Sequence, residues 1–172
     1  MIKQFVFGRT YVFIDAANIL YSQQTLRWKV DYEKLKKYFK DECDLRGLYF
    51  YTGKVGDNEK QNSFIRRLEK LGYSVKAKEV KMIKTGQNLI QMKGNLDIEL
   101  ALDAYKLKES YDTVLLLSGD SDFAYLIDLL KSEGKRVLVL STRGHISREL
   151  IERAKYIDIR KLREYIKFKE PR

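Results

Sequence analysis

Ser118-Gly119-Asp120-Ser121-Asp122-Phe123 places two carboxylates one residue apart, directly after the apolar run Thr113-Val114-Leu115-Leu116-Leu117. Carboxylates where a buried strand gives way to a turn are hard oxygen donors suited to a divalent cation such as Mg²⁺ or Mn²⁺. Leaving such anions partly buried without a counter-charge is costly. A second acid has the same setting near the N-terminus, where Tyr11-Val12-Phe13-Ile14 runs into Asp15 and then Ala16-Ala17-Asn18. The third piece is Asp97. On a helix advancing about 100° per residue, Leu100, Ala101, Ala104 and Tyr105 bracket it, whereas Glu99, Asp103 and Lys106 fall on the far side. Asp97 therefore faces inward near a helix start, where the macrodipole favours an anion, and Asp103 is a second-tier candidate turned to solvent. Four acids at close range raise one another's pKa unless a cation neutralises them. Such a cation would lower the pKa of bound water and shield the charge that builds on a phosphodiester under attack, so the chemistry would be hydrolysis at phosphorus.

Each residue also has a structural reading. Asp97 could be held by capping contacts alone, and one of Asp120 and Asp122 could be the N-cap of the helix that follows. Asn18 is either a cap or turn residue, or an amide that orients water or touches phosphate. Lys93, just before Asp97, is either a surface lysine or a fixed positive charge for phosphate oxygens. His145, in Ser141-Thr142-Arg143-Gly144-His145-Ile146-Ser147, is read as a solvent-exposed loop histidine rather than a substrate contact.

These residues need elements to hold them. Apolar runs of strand length recur at Tyr11 to Ile14, Leu48 to Tyr51, Tyr73 to Ala77, Val114 to Leu117, Val137 to Leu140 and Tyr156 to Ile159, with segments of helical period between most of them. That alternation is the mark of an α/β fold with a parallel sheet, and strands apolar throughout are expected where helices cover both faces. Asp31 should open a helix over 32–39, Asn58 one that runs to Leu71 and stops at Gly72, and Ser121 one that runs through Leu130 towards Gly134. The stretch Val80 to Met92 breaks the rhythm and is read as a protruding basic hairpin or loop. In open α/β sheets ligands gather beyond the carboxyl ends of the strands, where strand order reverses. Asp15 and Asp120 both fall at such ends, so neighbouring strands would bring them together.

With 172 residues and a single proline the chain suits one domain, residues 1–172, with a core of about 9–160 and a basic C-terminal extension over 161–172. No apolar stretch approaches the length of a membrane span and the first residues do not resemble a signal peptide, so the expected location is cytoplasmic, with no membrane partner. One cysteine, Cys43, and one histidine, His145, are too few for zinc chemistry, which leaves oxygen ligands. The formal net charge of +10 points to a polyanionic partner. Its excess is carried by two stretches: residues 76–94, where Lys76, Lys78, Lys81, Lys84 and Lys93 face Glu79, and residues 153–172. Both are read as candidate backbone-binding patches.

Phe13-Ile14-Asp15-Ala16-Ala17-Asn18, Lys93-Gly94-Asn95-Leu96-Asp97 with Leu100-Ala101-Leu102-Asp103, and Ser118-Gly119-Asp120-Ser121-Asp122-Phe123 follow one another in that order. Together they resemble the NYN domain, in particular its bacterial LabA-like branch, within the PIN-like nuclease superfamily. The resemblance implies a Rossmann-like, PIN-type three-layer sandwich with a central, mainly parallel sheet of about five strands, and a ribonuclease site dependent on Mg²⁺ or Mn²⁺. It carries Asp15, Asn18, Asp97, Asp120 and Asp122 into metal or catalytic roles, with Asp103 at a matching position of less defined use. Lys93, Ser118, Ser121 and Arg143 are the candidate substrate contacts. RNA is the expected partner, other single-stranded nucleic acid the second choice, and a homodimer is compatible with the sequence. Two rival readings remain: an RNA-binding regulatory module that keeps the acids without cutting, and a phosphatase of the haloacid dehalogenase type. The latter needs a second acid two residues after the first, where this chain has Ala17.

Overall fold

The computed structural model describes residues 1–85, 89–93 and 96–169, of which 81–85 and 89–93 are described by their backbone. Six strands form the central sheet among these residues: β1 (Arg9–Asp15), β2 (Asp44–Lys54), β3 (Ser74–Glu79), β6 (Thr113–Leu117), β7 (Arg136–Ser141) and β8 (Lys155–Asp158). Their spatial order is β3-β2-β1-β6-β7-β8, and every neighbouring pair is parallel. The resemblance implied about five strands; the sixth is accounted for by the short edge strand β8. Residues Thr113 to Leu117 are all buried, the burial that a central parallel strand obtains when both its faces are covered.

Alternate side chains of the strands feed two cores. Val12, Ile14, Phe50, Leu115 and Leu138 point to one face, against α1 (Ala16–Leu26), α2 (Tyr32–Glu42) and α3 (Glu59–Lys70). Phe13, Tyr51, Leu116 and Val139 point to the other, against α4 (Asp97–Lys106), α5 (Ala124–Ser132) and α6 (Arg148–Arg153). The result is three layers, helix, sheet and helix. Cap chemistry fixes the helix starts: Asp31 accepts from the Glu33 and Lys34 N–H groups, and Asn58 from that of Gln61. Between β3 and α4 the chain forms an antiparallel hairpin of β4 (Lys81–Thr85) and β5 (Leu89–Lys93), in register Lys81↔Lys93, over the stretch read as a basic hairpin. Its turn, residues 86–88, lies outside the described residues.

The chain beyond β8 is part of the packed structure as far as it is described. A 3₁₀ turn (Ile159–Leu162) leads into α7 (Arg163–Ile166), and Leu162 and Ile166 are fully buried beside α2. The segment then pairs antiparallel with the α1–α2 connection, Val30 opposite Lys167, and the Phe168 N–H donates to the Lys29 carbonyl at 2.8 Å. No helix among the described residues is long and apolar enough to cross a membrane.

Candidate metal centre

β1 and β6 lie side by side at the centre of the sheet, in register Ile14↔Leu117, and the chain leaves their ends towards opposite faces. This is the crevice at which strand order reverses. Asp15 ends β1 and is also the N-cap of α1, its Oδ1 accepting from the Ala17 N–H at 3.0 Å and the Asn18 N–H at 3.3 Å. Beyond β6, Asp120 caps a short 3₁₀ turn (Ser121–Phe123), accepting from the Asp122 N–H at 3.0 Å. Asp97 is the first residue of α4, whose buried Leu100 and Ala104 fasten it to the sheet.

Among the described residues, Asp97, Asp120 and Asp122 each offer one carboxylate oxygen within 4.8 Å of the others. Oxygens on opposite sides of an octahedral Mg²⁺ are about 4.2 Å apart. Asp120 and Asp122 are exposed, so small side-chain rotations close the difference, and an all-carboxylate donor set suits a hard cation. The residues therefore fit a single Mg²⁺ or Mn²⁺.

Asp15 lies outside this triplet. Its Oδ2 accepts from the Ser118 hydroxyl at 2.8 Å, and the same Ser118 oxygen accepts from the Asp120 N–H at 3.2 Å. One buried hydroxyl thus joins the two strand ends. Burial pushes the Asp15 carboxyl above its usual range, against the lowering effect of its three hydrogen-bond donors, and the negative charge of Asp120 adds to the rise. Asp15 and Asp97 also line a common small hollow with Tyr51 and Leu96, so Asp15 stands beside the triplet.

Asn18 faces the neighbouring loop. Its side-chain amide donates to the His145 carbonyl at 3.4 Å, and its oxygen accepts from the Ser141 hydroxyl at 3.1 Å. The cap role open to it in the sequence belongs to Asp15. His145 is half-buried rather than a free loop residue, with its Nε2 2.7 Å from the Thr25 hydroxyl. The loop after β7 presses on the turn after β6: the Ser147 N–H donates to the Gly119 carbonyl at 2.8 Å. A Cβ on Gly119 would lie 1.7 Å from the His145 carbonyl oxygen, so only glycine allows this approach.

The remaining candidates separate. Asp103 is half-buried and accepts from the Tyr51 hydroxyl at 2.9 Å, which differs from the solvent-facing placement read from the helix wheel. A partner on β2, distant in sequence, turns it inward. Burial, with this hydrogen bond second, pushes the Tyr51 phenol up. Ser121 and Arg143 are exposed beside the crevice loops. The side chain of Lys93 lies outside the described residues. Of the two basic stretches, the first continues β3 into the hairpin, and Lys78 is paired with Glu99 of α4. The second begins at the end of α6 and on β8, at the opposite edge of the sheet, five strand spacings or about 24 Å away, and its later residues return to pack beside α2 and the α1–α2 connection. At the β8 edge Arg153 pairs with Asp128 and Arg160 with Asp158, so part of its charge is already neutralised.

Residues 9–162 match the NYN domain. The chain belongs to the NYN domain family. The chain is also similar to the low amplitude and bright protein LabA of Synechococcus elongatus, 37% identical over an alignment of 164 residues, which covers 92% of this chain and 88% of LabA. This NYN chain also shares its fold with a solved structure, a Vibrio parahaemolyticus protein of unknown function, VPA0982. The TM-score is 0.76 at 24% identity, over 88% of this chain and 93% of that one.

Proposed function

We propose that the protein is a metal-dependent ribonuclease that hydrolyses RNA phosphodiester bonds at the β1/β6 crevice. The observation that carries this reading is the meeting of Asp97, Asp120 and Asp122 within 4.8 Å, from a helix start and a strand end far apart in the chain. Membership of a family within the PIN-like nucleases supports it. Asp97, Asp120 and Asp122 would hold the cation, and a bound Mg²⁺ or Mn²⁺ would supply an activated water and neutralise charge on the phosphate. Asp15 acts one step back, ordering Ser118 and through it the Asp120 N–H, and Asn18 holds the His145 loop against Gly119. Exposed Ser121 and Arg143 are available to phosphate oxygens.

The test is cleavage of a labelled single-stranded RNA with Mg²⁺, with Mn²⁺ and with chelator, for the wild type and Asp120→Asn. The amide keeps an acceptor for the Asp122 N–H and removes the charge, so folding should survive. Cleavage should require metal and fall at least about 100-fold in the variant. RNA binding without cleavage in every condition would replace this reading by the regulatory one, and phosphate release from small phosphomonoesters would replace it by a phosphatase.

A further inference from the structure

On the sheet face that carries α1, a groove of about 750 Å³ runs between the last turns of α1, the α1–α2 connection and the C-terminal segment. Its walls include four cations, Arg27, Lys29, Lys167 and Lys169, together with Trp28 and Phe168, and among the described residues no acid. None of the four cations pairs with a carboxylate among the described residues. The groove is a built feature: the Val30↔Lys167 bridge and the Phe168 N–H to Lys29 carbonyl bond clamp its two sides together, and the Val30 N–H donates to the Gln23 side chain at 2.7 Å. Arg27 takes a left-handed conformation, φ 57°, to end α1, which brings the chain round to line the groove with Trp28 and Lys29. Trp28 is 8% exposed and anchored in the core, while Phe168 is half-buried.

We propose that this groove is a second RNA contact, holding a single strand that continues from the acid crevice. Charge selects the ligand class: four cations with no carboxylate partner among the described residues attract a polyanion. The half-buried Phe168 ring favours one polyanion over another, because an apolar face beside cations suits unpaired bases joined by phosphates better than a run of carboxylates alone. Position supports continuity. The first turn of α1 is capped by Asp15 at the crevice and its last turn lines the groove, so the 11 residues of the helix set a separation of about 16 Å, a few nucleotides of extended strand. This inference rests on the ribonuclease reading for its choice of RNA and is tested without cleavage.

The experiment measures binding of a fluorescent single-stranded oligoribonucleotide to the full chain in chelator, over a range of salt. Lys29→Glu/Lys167→Glu should weaken binding at least tenfold at low salt, and the slope of log K against log salt should flatten by about 0.7 for each phosphate no longer neutralised. Phe168→Ala, which keeps the charge, should weaken it several-fold. Lys37→Glu/Lys106→Glu carries the same change of net charge elsewhere and should have a much smaller effect. Circular dichroism and melting curves establish that each variant is folded. Equal weakening in the control pair, or unchanged affinity in the groove variants, overturns the proposal, as does a polyglutamate peptide that displaces the RNA at equal charge concentration. Groove variants that fail to bind while wild type never cleaves would uphold the groove and defeat the ribonuclease reading; cleavage by wild type with unaltered binding in the variants would do the reverse.

Discussion

Ser118 is the residue through which the two halves of the crevice are connected, since its hydroxyl donates to Asp15 on β1 while accepting from the Asp120 N–H. The arrangement has a cost. Burial puts Asp15 in surroundings that favour its neutral form, and its folded pKa is raised. A carboxyl with a raised folded pKa carries no penalty below its unfolded value, near 3.8, and a growing one as pH rises through the folded value. Asp15→Asn, which can still cap α1 and bond Ser118, should therefore raise the melting temperature in chelator at pH 7. That gain should shrink as melts are repeated towards pH 4; a gain independent of pH would mean that burial of this charge is not its source. Gly119 tests steric rather than electrostatic fit. Gly119→Ala drives a methyl group into the His145 carbonyl and should cost about 2–3 kcal/mol in urea unfolding.

At the scale of elements, the C-terminal segment is the clearest case of a part whose role is packing. Ile166 and Leu162 are fully buried against α2 and the sheet, and Ile166→Ala should destabilise by about 2–4 kcal/mol, read from the midpoint of denaturant unfolding. The six strands were legible in the sequence because parallel strands covered on both faces are written as short apolar runs, and the starts of α2 and α3 because Asp31 and Asn58 are strong caps. The helix immediately after Asp15 was not legible: Ala16-Ala17-Asn18 reads as a turn, since the cap is also the last strand residue. The positions of Asp15, Asp97 and Asp120 at element ends could be read locally, but their mutual distances could not. Asp103 needed Tyr51, and Asn18 needed Ser141 and the His145 carbonyl, partners that the chain brings near only by folding. The same holds for Leu162 and Ile166, whose spacing fits one face of a helix yet gives no sign of what covers it.

Seen as a whole, the molecule divides its positive charge between opposite edges of the sheet, with the acid crevice between them. The hairpin leaves from the β3 edge, and at the β8 edge Arg153 and Arg160 are already paired with Asp128 and Asp158. The α1 groove, drawing on both the first 30 residues and the last described ones, gathers four cations that no carboxylate neutralises among the described residues. The central pairing of β1 with β6 joins Thr10 to Thr113, a contact of long sequence separation whose loop-closure entropy must be offset before it forms. In synthesis from the N-terminus, the residues of β1, β2 and β3 are all in place before Asp120 has been added. A nascent fragment that ends before Asp120 therefore lacks the acid triplet, and the candidate site is complete only once the turn after β6 has been made and docked beside α4.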